Sequence, residues 1–355
     1  MLSSFSSAQE GKPTNYGISI SPKAGFLLPH REVMRHLVKD YAIAGELSFV
    51  IQANGEKEWH NTFNNPKFGV SSYFSDYGYS EVLGKGFGVY GFIDFPLLKN
   101  DYISFSSKTG GGIAYVTKRY DPIENPKNNA ISTNVNNLLV LGLFITKHFE
   151  QQDLTLGLDL THMSNGAYKR PNLGLNLPYL SLGYTHYFNP VVGRNKNGEG
   201  KSSNLKIPNL MDKSINVKGV LSAREVYPTG GARYLVNALG VYYYKNLSRK
   251  ASIETGFDII HNQSHIMNGP ESTVAERVQV GYYLGYVLPI NKISFVIGMG
   301  GYIKDKFDPN GRFYHRLGVR YRFAPHWSAN ITIKSHWGRA DYFEYALIYH
   351  LFDSK

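Results

Sequence analysis

A histidine, a serine and an asparagine close together in the chain suggest nucleophilic catalysis. His162 and Ser164 end the segment DLTLGLDLTHMS, and Asn176 follows twelve residues after the serine. A serine hydroxyl becomes a nucleophile when a neighbouring imidazole takes its proton, and a third polar group holds the imidazole in the required tautomer. The three residues therefore predict a Ser-His-Asn constellation with a nucleophile, a base and an orienting residue.

Alternation of side chains places these residues on one face of a predicted strand. Leucines occupy the even positions from 154 to 160, whereas Asp153 and Asp159 occupy odd positions. Because successive strand residues point to opposite faces, the aspartates must face a polar interior and the leucines must face lipid. His162 and Ser164 continue the leucine row at its end. With a turn centred near Arg170, Asn176 would lie across from Ser164 on the same outer face.

The same period-two alternation extends along most of the chain and predicts sixteen strands. They cover residues 15–27, 42–53, 66–75, 82–95, 101–117, 131–149, 153–164, 177–188, 213–226, 232–245, 249–261, 275–288, 292–304, 312–323, 326–337 and 341–352. A count of fourteen also fits the pattern, and both numbers are even, as a closed bacterial barrel requires. The sequence thus predicts an all-β fold, a single transmembrane antiparallel up-and-down barrel of 14–16 strands over 15–352.

Charged residues on the inner rows of the last strands agree with a polar lumen. Four arginines share one face of the strand at 312–323, which would be unfavourable in a dry core. His336 and Glu344 fall on the polar rows of their strands, so that with Asp341 they predict a lumenal hydrogen-bond network rather than a second active site.

Composition excludes several classes of protein. The 355 residues include 27 Tyr, 20 Phe and 36 Gly, with a mean hydropathy of −0.29. No stretch approaches the roughly 20 apolar residues of a spanning helix. The absence of cysteine excludes disulfides, thiolate nucleophiles and cysteine-bound metals. The net charge of +11 favours either binding to polyanions such as lipid phosphates or a scattered solvated excess.

Two segments stand apart from the strands. Residues 1–14 lack the apolar region of a complete signal peptide, but Ser6, Ala8 and Gln9 fit its cleavage end, which predicts an export-signal remnant or a disordered tail. Residues 29–41 are predicted as a short helix or a long connection. The stretch 189–212 is the nearest thing to a linker.

The residues around the turn resemble a known family. The pattern His-x-Ser-Asn followed by Pro-Asn-x-Gly resembles the outer-membrane lipid A 3-O-deacylases (PagL) and their acyloxyacyl hydrolase relatives. This chain supplies the pattern as His162, Ser164, Asn165, Pro171, Asn172 and Gly174. The resemblance implies that Ser164 is the nucleophile and His162 the base. It also implies that the oxyanion or substrate is bound by Asn165, Gly166, Asn172 and Gly174.

The resemblance also implies a location and partners. We expect a bacterial outer-membrane protein that acts on lipid A of lipopolysaccharide among membrane lipids, with no nucleic-acid partner and no metal or other cofactor. The oligomeric state stays open.

One departure from the family keeps alternatives open. The deacylases have a glutamate twelve residues after the serine, where this chain has Asn176. Outer-membrane phospholipase A, which carries His-x-Ser-Asn-Gly and an asparagine at that spacing, is a second resemblance. Under that alternative the substrate is a glycerophospholipid and calcium is a possible cofactor. A third alternative is a non-catalytic porin, transporter or adhesin barrel. The favoured interpretation is an esterase that removes an ester-linked acyl chain from lipid A.

Overall fold

The structure, a computed structural model, describes residues 14–191, 213–307 and 310–354. Nearly all of the predicted N-terminal tail and most of the predicted linker lie outside these residues. The chain divides into two compact units. Within the described residues, the first unit comprises 14–117, Leu138–His162 and 176–191. The second comprises Lys118–Asn137, Met163–Leu175 and the residues from 213 onward.

The described residues form sixteen antiparallel strands, which confirms the predicted strand positions to within a few residues. The first eight are β1 (Asn15–Gly25), β2 (Ala42–Gln52), β3 (Lys67–Asp76), β4 (Lys85–Lys99), β5 (Ile103–Val116), β6 (Val135–His148), β7 (Gln152–Ser164) and β8 (Leu175–Tyr187). The other eight are β9 (Lys213–Glu225), β10 (Arg233–Ser248), β11 (Ala251–Asn262), β12 (Val278–Ile290), β13 (Ile293–Lys304), β14 (Phe313–Ala324), β15 (Trp327–His336) and β16 (Arg339–Ser354).

The strands close into two barrels, so the prediction of a single 14–16-stranded barrel is wrong. β8 turns back to pair with β1, from Gly17↔Tyr187 to Gly25↔Tyr179, and closes β1–β8. β16 pairs with β9 and closes β9–β16. The alternation of inward and outward residues along a strand is the same in one large barrel as in two small ones. Only the choice of partner for the edge strands decides between one barrel and two, and that choice is a long-range property.

Ion pairs fill the interior of the first barrel. Lys23 Nζ lies 2.7 Å from Glu46 Oε1 and 2.9 Å from Asp159 Oδ1, and all three residues are buried. Lys67 Nζ lies 3.1 Å from Asp153 Oδ2. The two aspartates of β7 therefore face inward, as the alternation predicted. An eight-stranded barrel has an interior that side chains can fill, and here buried charged pairs occupy part of it.

The second barrel has a similar interior built around arginine. Arg316, on β14, pairs with Asp258 at 2.7 Å and with Glu344 at 2.8 Å, and its side chain is 1% exposed. Arg320 pairs with Glu254 at 2.7 Å. His336 Nε2 lies 3.5 Å from Asp341 Oδ2. The polar interior predicted for the last strands is confirmed.

Few helical segments connect the strands. A 3-10 helix at Glu32–Leu37 lies in the connection that was predicted as a short helix or a long loop, and it buries Met34 and Leu37. One α-helical turn follows β2 at Glu58–Thr62. Among the described residues, no helix combines the length and the apolar character needed to cross a membrane.

The closure of each barrel can be tested with cysteine pairs, because the chain has no cysteine of its own. Ser19 and Thr185 are paired across β1 and β8, and Val217 and Tyr349 across β9 and β16. Opposed antiparallel residues have Cα atoms about 4.5–5.5 Å apart, within the range that a disulfide spans. Oxidation of Ser19→Cys/Thr185→Cys and of Val217→Cys/Tyr349→Cys should cross-link each variant within one chain.

Electrophoresis without reductant, compared with the four single-cysteine variants, reads out the cross-links. One sixteen-stranded barrel would leave both pairs of cysteines apart, so failure of both cross-links would contradict two-barrel closure.

Candidate active site

The outward row of β7 leads to the candidate catalytic residues. Leu154, Leu156, Leu158 and Leu160 are exposed, whereas the alternate residues Asp153, Asp159 and Thr161 are buried. His162, which is half-buried, and Ser164, which is 8% exposed, continue the leucine row to the end of the strand. His162 thus lies between two buried residues, whereas Ser164 is buried like Met163, so the outward orientation of Ser164 stays a prediction.

Asn176 contacts the imidazole of His162. Its Oδ1 lies 2.7 Å from His162 Nδ1. A carboxamide oxygen only accepts hydrogen bonds, so His162 Nδ1 carries the proton in this arrangement and Nε2 is left as the basic nitrogen. This is the tautomer that a general base needs when Nε2 faces the nucleophile. The structure brings together two of the three predicted catalytic residues in this contact, and Ser164 lies two positions further along the face of His162.

Hydrogen bonds within the second unit organise the turn after Ser164. The backbone N–H of Asn165 donates to Asn172 Oδ1 at 3.0 Å. The Asn165 side-chain nitrogen donates to Ser132 Oγ, Thr133 Oγ1 and the Lys169 carbonyl, at 3.0–3.1 Å. The Asn165 amide group therefore holds the turn together, and the Asn172 oxygen accepts from its backbone. The side-chain nitrogen of Asn165 is thus engaged within the turn.

The two predicted glycines have backbone conformations that favour glycine. Gly166 has φ +62° and Gly174 has φ +83°. A Cβ at Gly166 would lie 2.2 Å from the ring of Phe343, so a side chain would be excluded there by space as well as by strain. Gly174 donates its N–H to the Ala130 carbonyl at 2.9 Å. Both glycines shape the turn that carries Asn172.

Other residues, which the sequence analysis did not identify, hold the turn in the second unit. Arg170 Nε donates to the Glu225 carbonyl at 3.0 Å, and the Arg170 guanidinium lies 4.5 Å from the centre of the Tyr227 ring. The Glu225 N–H donates to the Ala167 carbonyl at 3.1 Å. These partners lie more than fifty residues from the turn in sequence, and no local motif marks them.

An apolar groove lies on the outer face of the first unit. Its volume is about 880 Å³, and its lining includes Leu158 and Leu160 from β7 and Pro178 and Leu180 from β8. Leu160 immediately precedes His162 in the outward row, and Pro178 immediately follows Asn176 in its row. The groove therefore runs along the strands that carry the two hydrogen-bonded residues.

Two related family models match parts of the chain. Both halves of the chain belong to the class of eight-stranded antiparallel barrels with an apolar outer face. The family model described as lipid A 3-O-deacylase (PagL) matches residues 43–185, which include His162, Ser164 and Asn176. The model described as acyloxyacyl hydrolase, C-terminal domain, matches residues 213–354. The two models match the two halves of the chain separately, and each covers about two fifths of it.

Similarity to solved structures is weak. The Acinetobacter baumannii outer membrane protein Omp33 is 7% identical, with 95% of this chain and 99% of that chain covered and a TM-score of 0.19. A mutant of the Rh. blastica porin is 7% identical over 96% of this chain and 99% of that chain, with a TM-score of 0.17. TM-scores this low do not define a shared fold. A search of curated proteins found no significant match.

Two substitutions of Asn172 separate its possible roles. Asn172→Asp keeps the oxygen that accepts from Asn165 but removes the side-chain donor, whereas Asn172→Ala removes both. If the Asn172 nitrogen stabilises the oxyanion, both variants should lose roughly 10²–10³-fold in kcat, the usual cost of one oxyanion donor. Steady-state hydrolysis of a lipid ester measures this. Near-normal kcat in Asn172→Asp together with a loss in Asn172→Ala would restrict Asn172 to holding the turn.

Proposed function

We propose that this protein is an outer-membrane esterase that hydrolyses an ester-linked acyl chain of lipid A. The observation that carries the proposal is the 2.7 Å contact between His162 and Asn176 on the outer face of a barrel that matches the lipid A 3-O-deacylase family model. A histidine in a hydrogen-bonded tautomer, with a serine two positions away on a lipid-facing strand, suits a reaction on a membrane lipid.

The proposed reaction passes through an acyl-enzyme. Ser164 Oγ attacks the ester carbonyl carbon while His162 Nε2 takes the hydroxyl proton. When the tetrahedral intermediate collapses, the ester C–O bond breaks and the lipid A hydroxyl leaves with the proton from His162. Water then attacks the acyl-serine, with His162 again taking and returning a proton, and a free fatty acid leaves. Asn176 holds the imidazole but adds no negative charge to stabilise the imidazolium.

The turn after Ser164 would stabilise the developing oxyanion. Asn172 Nδ2 is the proposed donor, and Asn165 keeps it oriented through the backbone hydrogen bond to Asn172 Oδ1. Fixed donors that require no rearrangement during the reaction make the largest contributions of this kind. Gly166 and Gly174 contribute by allowing the turn its conformation.

An outward-facing site explains how such a substrate would reach the enzyme. Lipid A diffuses within the outer membrane, and its acyl esters lie at the depth where a strand ends at the interface. The acyl chain would occupy the groove lined by Leu158 and Leu180, below His162 and Asn176. Lipopolysaccharide and the surrounding membrane lipids are the proposed partners, and the bacterial outer membrane is the proposed location.

Asn176 is the feature that favours the phospholipase alternative, because the deacylases have glutamate there. Both reactions use the same nucleophile and base, so the substrate decides between them. A chain that cleaves phosphatidylethanolamine only, in a manner sensitive to a calcium chelator, would be a phospholipase. A barrel without esterase activity would fit the porin or adhesin alternative.

Loss of the nucleophile or of the base should abolish hydrolysis. Ser164→Ala and His162→Ala should each lower the rate of acyl release by roughly 10⁴–10⁶-fold, because members of a catalytic triad act as a unit. The measurement is mass spectrometry of lipid A from cells that carry each variant, compared with the unmodified protein and with Ser181→Ala, a lumenal serine of β8.

Equal outer-membrane levels and heat-modifiable electrophoretic mobility would show that the variants fold. Retention of more than about a tenth of the activity in Ser164→Ala would place the nucleophile elsewhere.

Filling the groove should change the preference for acyl-chain length. Leu158 lines the groove, whereas Leu154 lies in the same outward row but not in the lining. Leu158→Trp should lower kcat/KM for long acyl esters severalfold more than for short ones, because the added ring occupies space needed by the distal methylenes. Leu154→Trp is the matched control and should leave the ratio unchanged. A detergent assay with esters of graded length measures the ratio, and equal effects of both variants would argue against acyl binding there.

A further inference from the structure

His30 contacts the side of Asn176 that does not face His162. Asn176 Nδ2 lies 2.9 Å from His30 Nδ1, while Asn176 Oδ1 lies 2.7 Å from His162 Nδ1. A carboxamide nitrogen only donates hydrogen bonds, so His30 Nδ1 accepts in this contact and carries no proton. The three side chains form a chain of hydrogen bonds from His162 through Asn176 to His30.

Backbone pairing brings His30 to this position. Beyond the end of β1, the N–H of Phe26 donates to the Pro178 carbonyl and the N–H of Leu28 donates to the Asn176 carbonyl, at 3.4 and 2.8 Å. The His30 N–H then donates to the Leu28 carbonyl at 3.0 Å. The connection thus continues alongside the start of β8. His30 lies before residue 43, where the match to the deacylase family model begins.

An asparagine in place of a glutamate creates a problem of orientation. Both oxygens of a carboxylate accept hydrogen bonds, so either face of a glutamate serves a histidine. The amide of Asn176 can turn either its oxygen or its nitrogen toward His162. The hydrogen-bond partners available on each side decide which orientation is favoured. With the nitrogen toward His162, Nδ1 would have to accept and Nε2 would carry the proton. Nε2 could not then take a proton from Ser164.

We propose that His30 is a positioning residue that keeps the oxygen of Asn176 turned toward His162 and thereby fixes the basic tautomer of His162. This inference rests on the proposed esterase function, and it extends the catalytic group to a residue outside the matched family range. In this proposal His30 acts through Asn176.

The role requires a neutral His30. Partial burial and then the charge of Arg31 lower the pKa of His30, although a hydrogen bond with the Leu28 backbone opposes this. Among the described residues, Arg31 and His162 are the charged or titratable groups that act on His30, the first from the same connection and the second from β7. When acid protonates His30, Nδ1 becomes a donor facing the Asn176 nitrogen, and the favourable amide orientation is lost.

Protonation of His30 therefore adds to the loss of activity at low pH. His162 must be neutral to act as a base, and His30 must be neutral to hold Asn176, so two groups shape the acid limb of the pH profile. A variant with an acceptor that does not titrate at position 30 should have a shallower acid limb.

Two substitutions of His30 test the role of its acceptor. His30→Ala removes the acceptor and should lower kcat roughly three- to tenfold with little change in KM, the size expected for one net hydrogen bond. In His30→Asn a side-chain oxygen can replace Nδ1, so most of the kcat should return while the acid limb becomes shallower. His36→Ala, which changes an exposed histidine of the same connection, is the control and should match the unmodified protein.

A double-mutant cycle tests whether His30 acts through Asn176. Asn176→Asp has nearly the same shape as asparagine but presents two accepting oxygens, so its orientation no longer matters. In that background, His30→Ala should cost little, whereas in the unmodified protein it should cost the full three- to tenfold. Equal costs in both backgrounds would contradict the inference.

A readout without substrate separates this inference from the proposed function. In ¹⁵N NMR of histidine-labelled protein in detergent, the His162 ring should show the Nδ1–H tautomer, and His30→Ala should shift it toward a mixture. His36→Ala should leave the His162 tautomer unchanged. If the unmodified protein had no esterase activity, the proposed function would fail while the tautomer test remained informative. An unchanged His162 tautomer in His30→Ala would overturn the inference whether or not the protein is an esterase.

Discussion

The hydrogen bond between His162 Nδ1 and Asn176 Oδ1 is the interaction on which the functional interpretation depends. It lies on the outer side of β7 and β8, at the end of the exposed leucine row. The 2.7 Å contact provides a hydrogen-bond partner for both side chains. The same bond sets the tautomer of His162. One contact therefore pairs two polar side chains and also fixes the tautomer that the proposed general base requires.

The opposite face of the strands obeys a different constraint. Inside an eight-stranded barrel there is room for side chains but little else, so charged residues there must be paired. Lys23 with Glu46 and Asp159, and Arg316 with Asp258 and Glu344, satisfy this in the first and second barrels. Buried ion pairs therefore occupy the interiors, whereas the groove and the hydrogen bond between His162 and Asn176 lie on the outer face of the first barrel.

Much of the fold could be predicted from the sequence because strand alternation is local. The leucine and aspartate rows of β7 gave the outward parity of His162 and Ser164, and all sixteen strands were predicted near their observed positions. The number of barrels could not be predicted in this way. Closure depends on whether β8 pairs with β1 or with β9. The alternation of inward and outward residues along β8 would be the same in both cases.

In the candidate site, too, the contact between neighbouring strands could be predicted, whereas the contact from a distant part of the chain could not. His162 and Asn176 could be predicted to meet because a short turn joins their strands. His30, by contrast, lies 146 residues from Asn176 in the chain, in an irregular connection without alternation. The hydrogen bonds that the Asn165 side chain makes within the turn could not be predicted from the motif, and its role in binding an oxyanion stays a prediction. A sequence motif indicates which residues belong to the candidate site, but not which partner each hydrogen-bond donor contacts.

Covalent labelling of the serine tests the central claim most directly. A long-chain alkyl fluorophosphonate resembles the acyl ester and phosphorylates a serine only when a neighbouring base activates it. Peptide mass spectrometry after such labelling should find the adduct on Ser164 in the unmodified protein and almost none in His162→Ala. An adduct on another residue, or equal labelling of Ser164 without His162, would contradict the account.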